Sequence, residues 1–149
     1  MKGMWSRVAI VVAALVAVNL LARLGVRLAG PDDSTEFVIG LWSIGAMMVV
    51  LAVAVFLWAR SYLVPRVLTF AGTAIGVSAL LVTLLGPFVS GGSPFENGIN
   101  AFLFQILVCM LVLSVGGAIG LLTAMALGLD PTSRAWKRQA ERVKSKPRR

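Results

Sequence analysis

The chain has 149 residues, of which 58% are hydrophobic and only 13% are charged, and its mean hydropathy is +0.91. Soluble domains carry about a quarter charged residues and disordered chains have low hydrophobicity, so this composition excludes both classes. The net charge is +8, histidine is absent, and Cys109 is the single cysteine. The sequence therefore lacks the most common catalytic base and metal ligand, and it cannot form a disulfide within the chain.

Four apolar stretches dominate the chain. A hydrocarbon core of about 30 Å needs about 20 helical residues, and backbone polar groups cannot stay unpaired in lipid. The sequence therefore predicts an all-α polytopic membrane protein, with a four-helix transmembrane domain over residues 1–129 and a basic tail over residues 130–149. The predicted spans cover about residues 8–29, 37–58, 67–89 and 99–127.

The basic residues fall on one side of these spans. Twelve of the fourteen precede the first span, lie between the second and third, or belong to the tail. The two opposite connections hold the acids Asp32, Asp33, Glu36 and Glu96. Because short loops rich in lysine and arginine stay in the cytoplasm, both termini are predicted to be cytoplasmic.

Three polar residues share one face of the first span, since Asn19, Arg23 and Arg27 are spaced by four. Two interpretations are open for Arg23. Its side chain could extend to the headgroups, as long basic side chains near a helix end do. Alternatively, Asn19 and Arg23 face protein and hydrogen-bond another subunit or an anionic lipid headgroup. On the second interpretation this stripe is a docking face, and Arg27 lies at its headgroup end.

Two pairs of glycines have the spacing that lets membrane helices approach closely. Gly72 and Gly76 lie in the third span, and Gly116 and Gly120 lie in the fourth at a similar depth. The sequence predicts that the third and fourth helices pack together through these four residues.

The remaining polar and aromatic residues have structural interpretations. The hydroxyl side chains are expected to bond back to their own helices, and Trp5, Trp42, Trp58 and Tyr62 include candidates for interfacial anchors. Gln105 is the other polar residue placed to face the bundle.

The tail begins with Asp130 and Pro131, a pattern typical of a helix start. Trp136, Ala140 and Val143 then recur at helical spacing among basic residues. This pattern predicts a short amphipathic helix on the inner leaflet that contacts anionic lipid headgroups. Nucleic acid is not an expected partner, because the tail has no recognition motif.

The four-helix plan and the Asn19-x-x-x-Arg23 spacing resemble small actinobacterial inner-membrane proteins of unknown function, over about residues 8–127. The resemblance implies the bacterial cytoplasmic membrane, and it implies no activity.

The sequence predicts a protein that is not an enzyme and has no cofactor, because no intramembrane carboxylate pair, nucleophile elbow or phosphate loop is present. The leading interpretation is an accessory, assembly or stabilising subunit of a larger membrane complex. The alternative is a small homo-oligomeric transporter or channel. Few polar residues lie at membrane depth to serve transport.

Overall fold

The computed structural model describes residues 2–29, 33–96 and 98–144, with side chains for residues 5–28, 38–96 and 98–141. Four of its helices are long and apolar enough to cross a membrane, and no strand occurs in the described residues. The predicted all-α four-helix bundle of a multi-pass membrane protein is confirmed. The helices are α1 (Lys2–Ala29), α2 (Asp33–Ala59), α3 (Val64–Ser90), α4 (Gly98–Ala126) and α5 (Pro131–Lys144).

Parts of two sequence predictions fall outside the described residues. One is the acidic first connection, for which neither Asp32 nor the side chains of Asp33 and Glu36 are described. The other is the end of the basic tail, residues 145–149, together with the side chain of Val143.

The helices end where the local sequence stops them. At the end of α3, Gly91 has a φ of 88°, and its N–H donates to the carbonyl of Phe88. At the end of α4, Gly128 has a φ of 63°, and its N–H donates to the carbonyl of Met125. Only glycine adopts this left-handed conformation readily, so these two residues fix where the third and fourth spans terminate.

The hairpin of α1 and α2 packs against the hairpin of α3 and α4. α1 packs against α2 and α3, α4 packs against the same two helices, and α2 also approaches α3. α1 and α3 run parallel, since Trp5 meets Phe70 toward one end while Arg23 reaches Ser90 toward the other.

α4 lies directly on the backbone of α2, and the two helices also run parallel. A Cβ placed on Gly116 would come 2.7 Å from the carbonyl oxygen of Met48, and one placed on Gly120 would overlap the carbonyl of Ala52. The two glycines of α4 therefore allow the close helix approach that substitutes for hydrophobic drive in lipid.

α3 and α4 contact each other as predicted, but the predicted contact between their glycine pairs is wrong. A Cβ placed on Gly72 or Gly76 would meet no atom within 4 Å, so this pair makes no close helix contact. α3 instead turns a stripe that includes Ala71, Ala74 and Ser78 toward the core. The glycines of α4 lie against the backbone of α2 instead.

The two halves of the bundle differ in how completely their cores are filled. We call the end that carries the start of α1, residues 60–63 and α5 the basic end, and the opposite end the far end. Toward the basic end the core is filled, and Phe70 packs edge-on against Trp5, Trp58 and Tyr62 at centroid distances of 5.5–6.2 Å. Trp58 is only 5% exposed, so it is a core residue rather than an interfacial anchor.

Candidate functional site

A cavity of about 300 Å³ lies between the four helices in the far half of the bundle, and we call it the far-half cavity. This volume is at the lower end of the range for small-molecule sites. All four membrane helices contribute to its wall, and none of the described lining residues is acidic. The polar lining residues are Asn19, Arg23, Ser43, Thr83, Ser90 and Gln105.

The far-half cavity is closed toward the basic end. Met47, Val82 and Leu113 are its lining residues nearest that end on α2, α3 and α4, and each is at most 5% exposed. Beyond them, Leu15 and Leu51 are fully buried. The cavity is therefore a blind pocket whose floor lies near the middle of the bundle.

Arg23 is held against the wall of the cavity by hydrogen bonds to two helices. Its Nε donates to Oδ1 of Asn19 at 3.1 Å, within α1, and its Nη1 donates to Oγ of Ser90 on α3 at 3.2 Å. The guanidinium carries a permanent positive charge, which these contacts fix at the wall of a mostly apolar cavity.

Gly86 on α3 provides the surface on which the guanidinium lies. A Cβ placed on this buried glycine would come 2.5 Å from Nε of Arg23. Any side chain at this position would displace the guanidinium from its place. Gly86 is thus a positioning residue that the sequence patterns did not single out.

The polar stripe of α1 has partners within the chain. Besides the contacts of Arg23, Nδ2 of Asn19 lies 4.0 Å from Sδ of Met47, and Nη1 of Arg27 donates to the carbonyl of Val89 at 3.3 Å. The docking-face hypothesis assigns these side chains to another subunit or an anionic lipid headgroup, on the premise that the chain itself offers few acceptors at that depth. That premise is corrected, because α3 supplies Ser90 and the Val89 carbonyl.

Two hydroxyl groups near the cavity behave differently. Thr83 donates to the carbonyl of Ala79 at 2.8 Å, as expected for a hydroxyl that bonds back to its own helix. Ser43 is 7% exposed, and its buried Oγ has no hydrogen-bond partner in the described part of the chain. A buried polar group without a partner costs about 1–3 kcal/mol, so an occupant that bonds Ser43 would recover this free energy.

Pro87 removes one backbone hydrogen bond of α3 near the cavity. It lies inside α3 and has no N–H, so the carbonyl of Thr83 does not receive the helical hydrogen bond that residue 87 would normally donate. The proline therefore weakens the backbone ladder of α3 beside the cavity.

Sequence reasoning identified Asn19, Arg23 and Gln105 but missed Ser43, Gly86 and Ser90. The depth of Ser43 in the bundle is a signal that could have identified this residue from the sequence. Counted from the far ends of their helices, Asn19 and Ser43 both lie about 15 Å into the bundle at about 1.5 Å per residue. Two polar residues at one depth on adjacent helices indicate a shared site.

Within the described residues, no three histidine, cysteine, aspartate or glutamate side chains lie together as a metal site would require. Comparisons with protein-family models, curated proteins and solved structures give no match to this chain. The far-half cavity is therefore the feature of the described residues that bears on function.

Proposed function

We propose that this chain is a non-catalytic accessory subunit of a bacterial inner-membrane complex, and that it holds a small anionic amphiphile in the far-half cavity. The observation that carries the proposal is the Arg23 guanidinium, seated on Gly86 at the wall of a blind and mostly apolar pocket.

Three features support an anion as the occupant. Arg23 brings a fixed positive charge, the hydroxyl of Ser43 has no partner among the described residues, and none of the described lining residues is acidic. A carboxylate or phosphate would accept hydrogen bonds from both donors, and such charge-assisted bonds are stronger than neutral ones.

The apolar remainder of the wall supports an amphiphile rather than an inorganic ion. Val26, Ile39 and Val112 line the cavity from three helices, and burying an apolar body against them is favourable. A medium-chain fatty acid has the required chemistry.

The blind floor supports binding over conduction. A transporter or channel, the alternative expected from the sequence, needs a polar route across the bundle. Below the far-half cavity the core holds the apolar residues Leu15, Leu51 and Val55, each at most 1% exposed. The polar side chains described there are too few for a continuous route, although the buried hydroxyl of Ser78 lies among the apolar residues.

Cys109 gives a direct test, because it lines the cavity and is the single cysteine of the chain. Octanoate should slow the modification of Cys109 by a small thiol reagent in lipid nanodiscs, and octanol should not. Arg23→Gln should weaken this protection about tenfold or more, since one charge-assisted bond contributes about 1.5–3 kcal/mol.

Arg27→Gln is the matched control, because Arg27 lies on the same helix but outside the cavity. It should leave the protection unchanged. Equal protection by octanoate and octanol, or in both variants, would rule out an anion site. The accessory role is tested by a native pull-down in mild detergent, and recovery of this chain without a larger stoichiometric partner would contradict it.

A further inference from the structure

A second concavity lies at the basic end, between α1 and α2 and beside α5. We call it the arginine groove. Its volume is about 630 Å³, and three elements supply its basic residues: Arg7 from α1, Arg60 from the α2–α3 connection, and Arg134 from α5. None of its lining residues in the described part of the chain is acidic.

The three arginines of the groove are exposed, and the guanidinium groups of two of them contact aromatic residues. Nη1 of Arg7 donates to the hydroxyl of Tyr62 at 3.4 Å. The guanidinium carbon of Arg60 lies 5.9 Å from the centroid of the Phe56 ring, within the range of a cation–π contact. These contacts hold two of the positive charges close to the mouth of the groove.

The walls of the arginine groove are apolar and lead away from the basic end. Ile10 on α1 and Val53 on α2 line the groove, and they are 67% and 53% exposed. From Leu57 to Val50 the groove follows α2 for about 10 Å. Its apolar wall therefore covers a length comparable to the upper part of an acyl chain.

We infer that the arginine groove binds one anionic phospholipid, with the phosphate among the three arginines and an acyl chain along α1 and α2. Charge complementarity selects this occupant, because three cations without a carboxylate call for an anionic headgroup. The apolar wall requires a chain attached to that headgroup. This site lies at the opposite end from the far-half cavity, so it goes beyond the proposed function.

The binding test compares phosphatidylglycerol with zwitterionic phosphatidylcholine on the full chain in detergent, with bound lipids counted by native mass spectrometry. One phosphatidylglycerol molecule should bind with high affinity, and no phosphatidylcholine molecule should bind with comparable affinity. Each arginine near a membrane surface contributes about a fivefold preference for anionic lipid, so the triple variant Arg7→Gln, Arg60→Gln and Arg134→Gln should lose about 100-fold in affinity.

A matched triple variant removes the same charge outside the groove. Arg66→Gln, Lys137→Gln and Arg138→Gln change residues that do not line it, and the affinity should stay within about twofold of the unchanged chain. An equal loss in both triple variants would show that net charge alone attracts the lipid, which would overturn the site. Displacement of the lipid by excess inorganic phosphate would overturn the role of the acyl chain.

A second measurement needs no arginine substitution. Trp58 lines the groove, so phosphatidylglycerol with brominated acyl chains should quench its fluorescence in a saturable phase. Trp58→Phe should remove that phase. If quenching is not saturable, or if Trp58→Phe leaves it intact, no lipid chain occupies the groove.

Discussion

At the scale of single residues, the placement of Arg23 explains how the bundle tolerates a cation at membrane depth. An arginine at the centre of a membrane helix costs about 2.5–3.5 kcal/mol on insertion scales. Here Asn19 and Ser90 accept its hydrogen bonds, and Gly86 leaves room for the flat guanidinium. The sequence predicts that Arg23 needs acceptors, and Asn19 is visible one turn away. Ser90 is 67 residues distant, so nothing local identifies it.

The charge of Arg23 should be measurable from inside the far-half cavity. Thiol reagents of similar size but opposite charge can be compared at Cys109, which lines the same cavity. The anionic reagent should react faster relative to the cationic one. In Arg23→Gln this ratio should fall about three- to tenfold, because a unit charge at short range is removed.

Arg27→Gln provides the comparison for this experiment. Its side chain bonds the Val89 carbonyl and does not line the cavity, so the rate ratio should not change. A ratio that is the same in all three proteins would mean that the guanidinium does not influence the cavity.

At the scale of elements, α4 shows that the sequence of a membrane helix does not reveal which of its faces is buried. Its lipid-facing surface is as apolar as its buried one, so no periodic pattern distinguishes the two. The stripe of α4 that is buried consists of Leu113, Gly116, Gly117, Gly120 and Ala124. Glycine spacing correctly marks the close-packing residues of α4, but identical spacing at Gly72 and Gly76 marks an open face of α3. The motif therefore indicates which residues permit close packing, while the partner helix depends on the whole arrangement.

Gly120→Ala should destabilise the bundle by about 1–3 kcal/mol, as expected for overpacking. The new Cβ would overlap the Ala52 carbonyl, and a backbone cannot move aside as a flexible side chain can. SDS-induced unfolding in mixed micelles measures the effect.

Gly76→Ala is the matched control, because its Cβ would enter open space. Alanine has the higher helix propensity, so this variant should be neutral or slightly more stable. Equal destabilisation by the two substitutions would contradict the close contact between α2 and α4.

α5 is the element that local sequence predicts best. Asp130 caps it as expected, since Oδ2 accepts the N–H of Ser133 at 3.0 Å, and Pro131 is the first helical residue. Asp130→Ala should destabilise α5 by about 1 kcal/mol through loss of the cap. Hydrogen exchange of the α5 amides should accelerate about fivefold, whereas Thr132→Ala should leave it nearly unchanged. No acceleration in Asp130→Ala would show that the cap does not stabilise the helix.

At the scale of the whole molecule, the number and length of the spans follow from the sequence, but the arrangement of neighbours does not. The predicted span of residues 37–58 lies inside α2, for example, because length and apolar composition alone define a span. Consecutive helices usually pack as neighbours, which favours α1 against α2. The parallel contact of α2 with α4 depends on residues far apart, such as Met48 and Gly116. The far-half cavity arises from this arrangement, so its complete lining was not predictable.

The orientation of the whole molecule is a prediction from charge. Ser61 lies at the basic end and Ser93 at the far end, and both side chains are exposed. After Cys109→Ala, an impermeant thiol reagent added to intact cells should label a chain carrying Ser93→Cys and not one carrying Ser61→Cys. The converse pattern would invert the predicted topology.

The link between Arg23 and Ser90 also has a consequence for biosynthesis. The 67 residues that separate them take about 3–13 s to synthesise at about 5–20 residues per second. During that interval α1 is already made, while the helix that completes its polar contacts has not left the ribosome. The nascent chain must therefore keep Arg23 in contact with water, headgroups or the insertion machinery until α3 arrives. Truncation before α3 should leave a hairpin that the cell's membrane proteases remove.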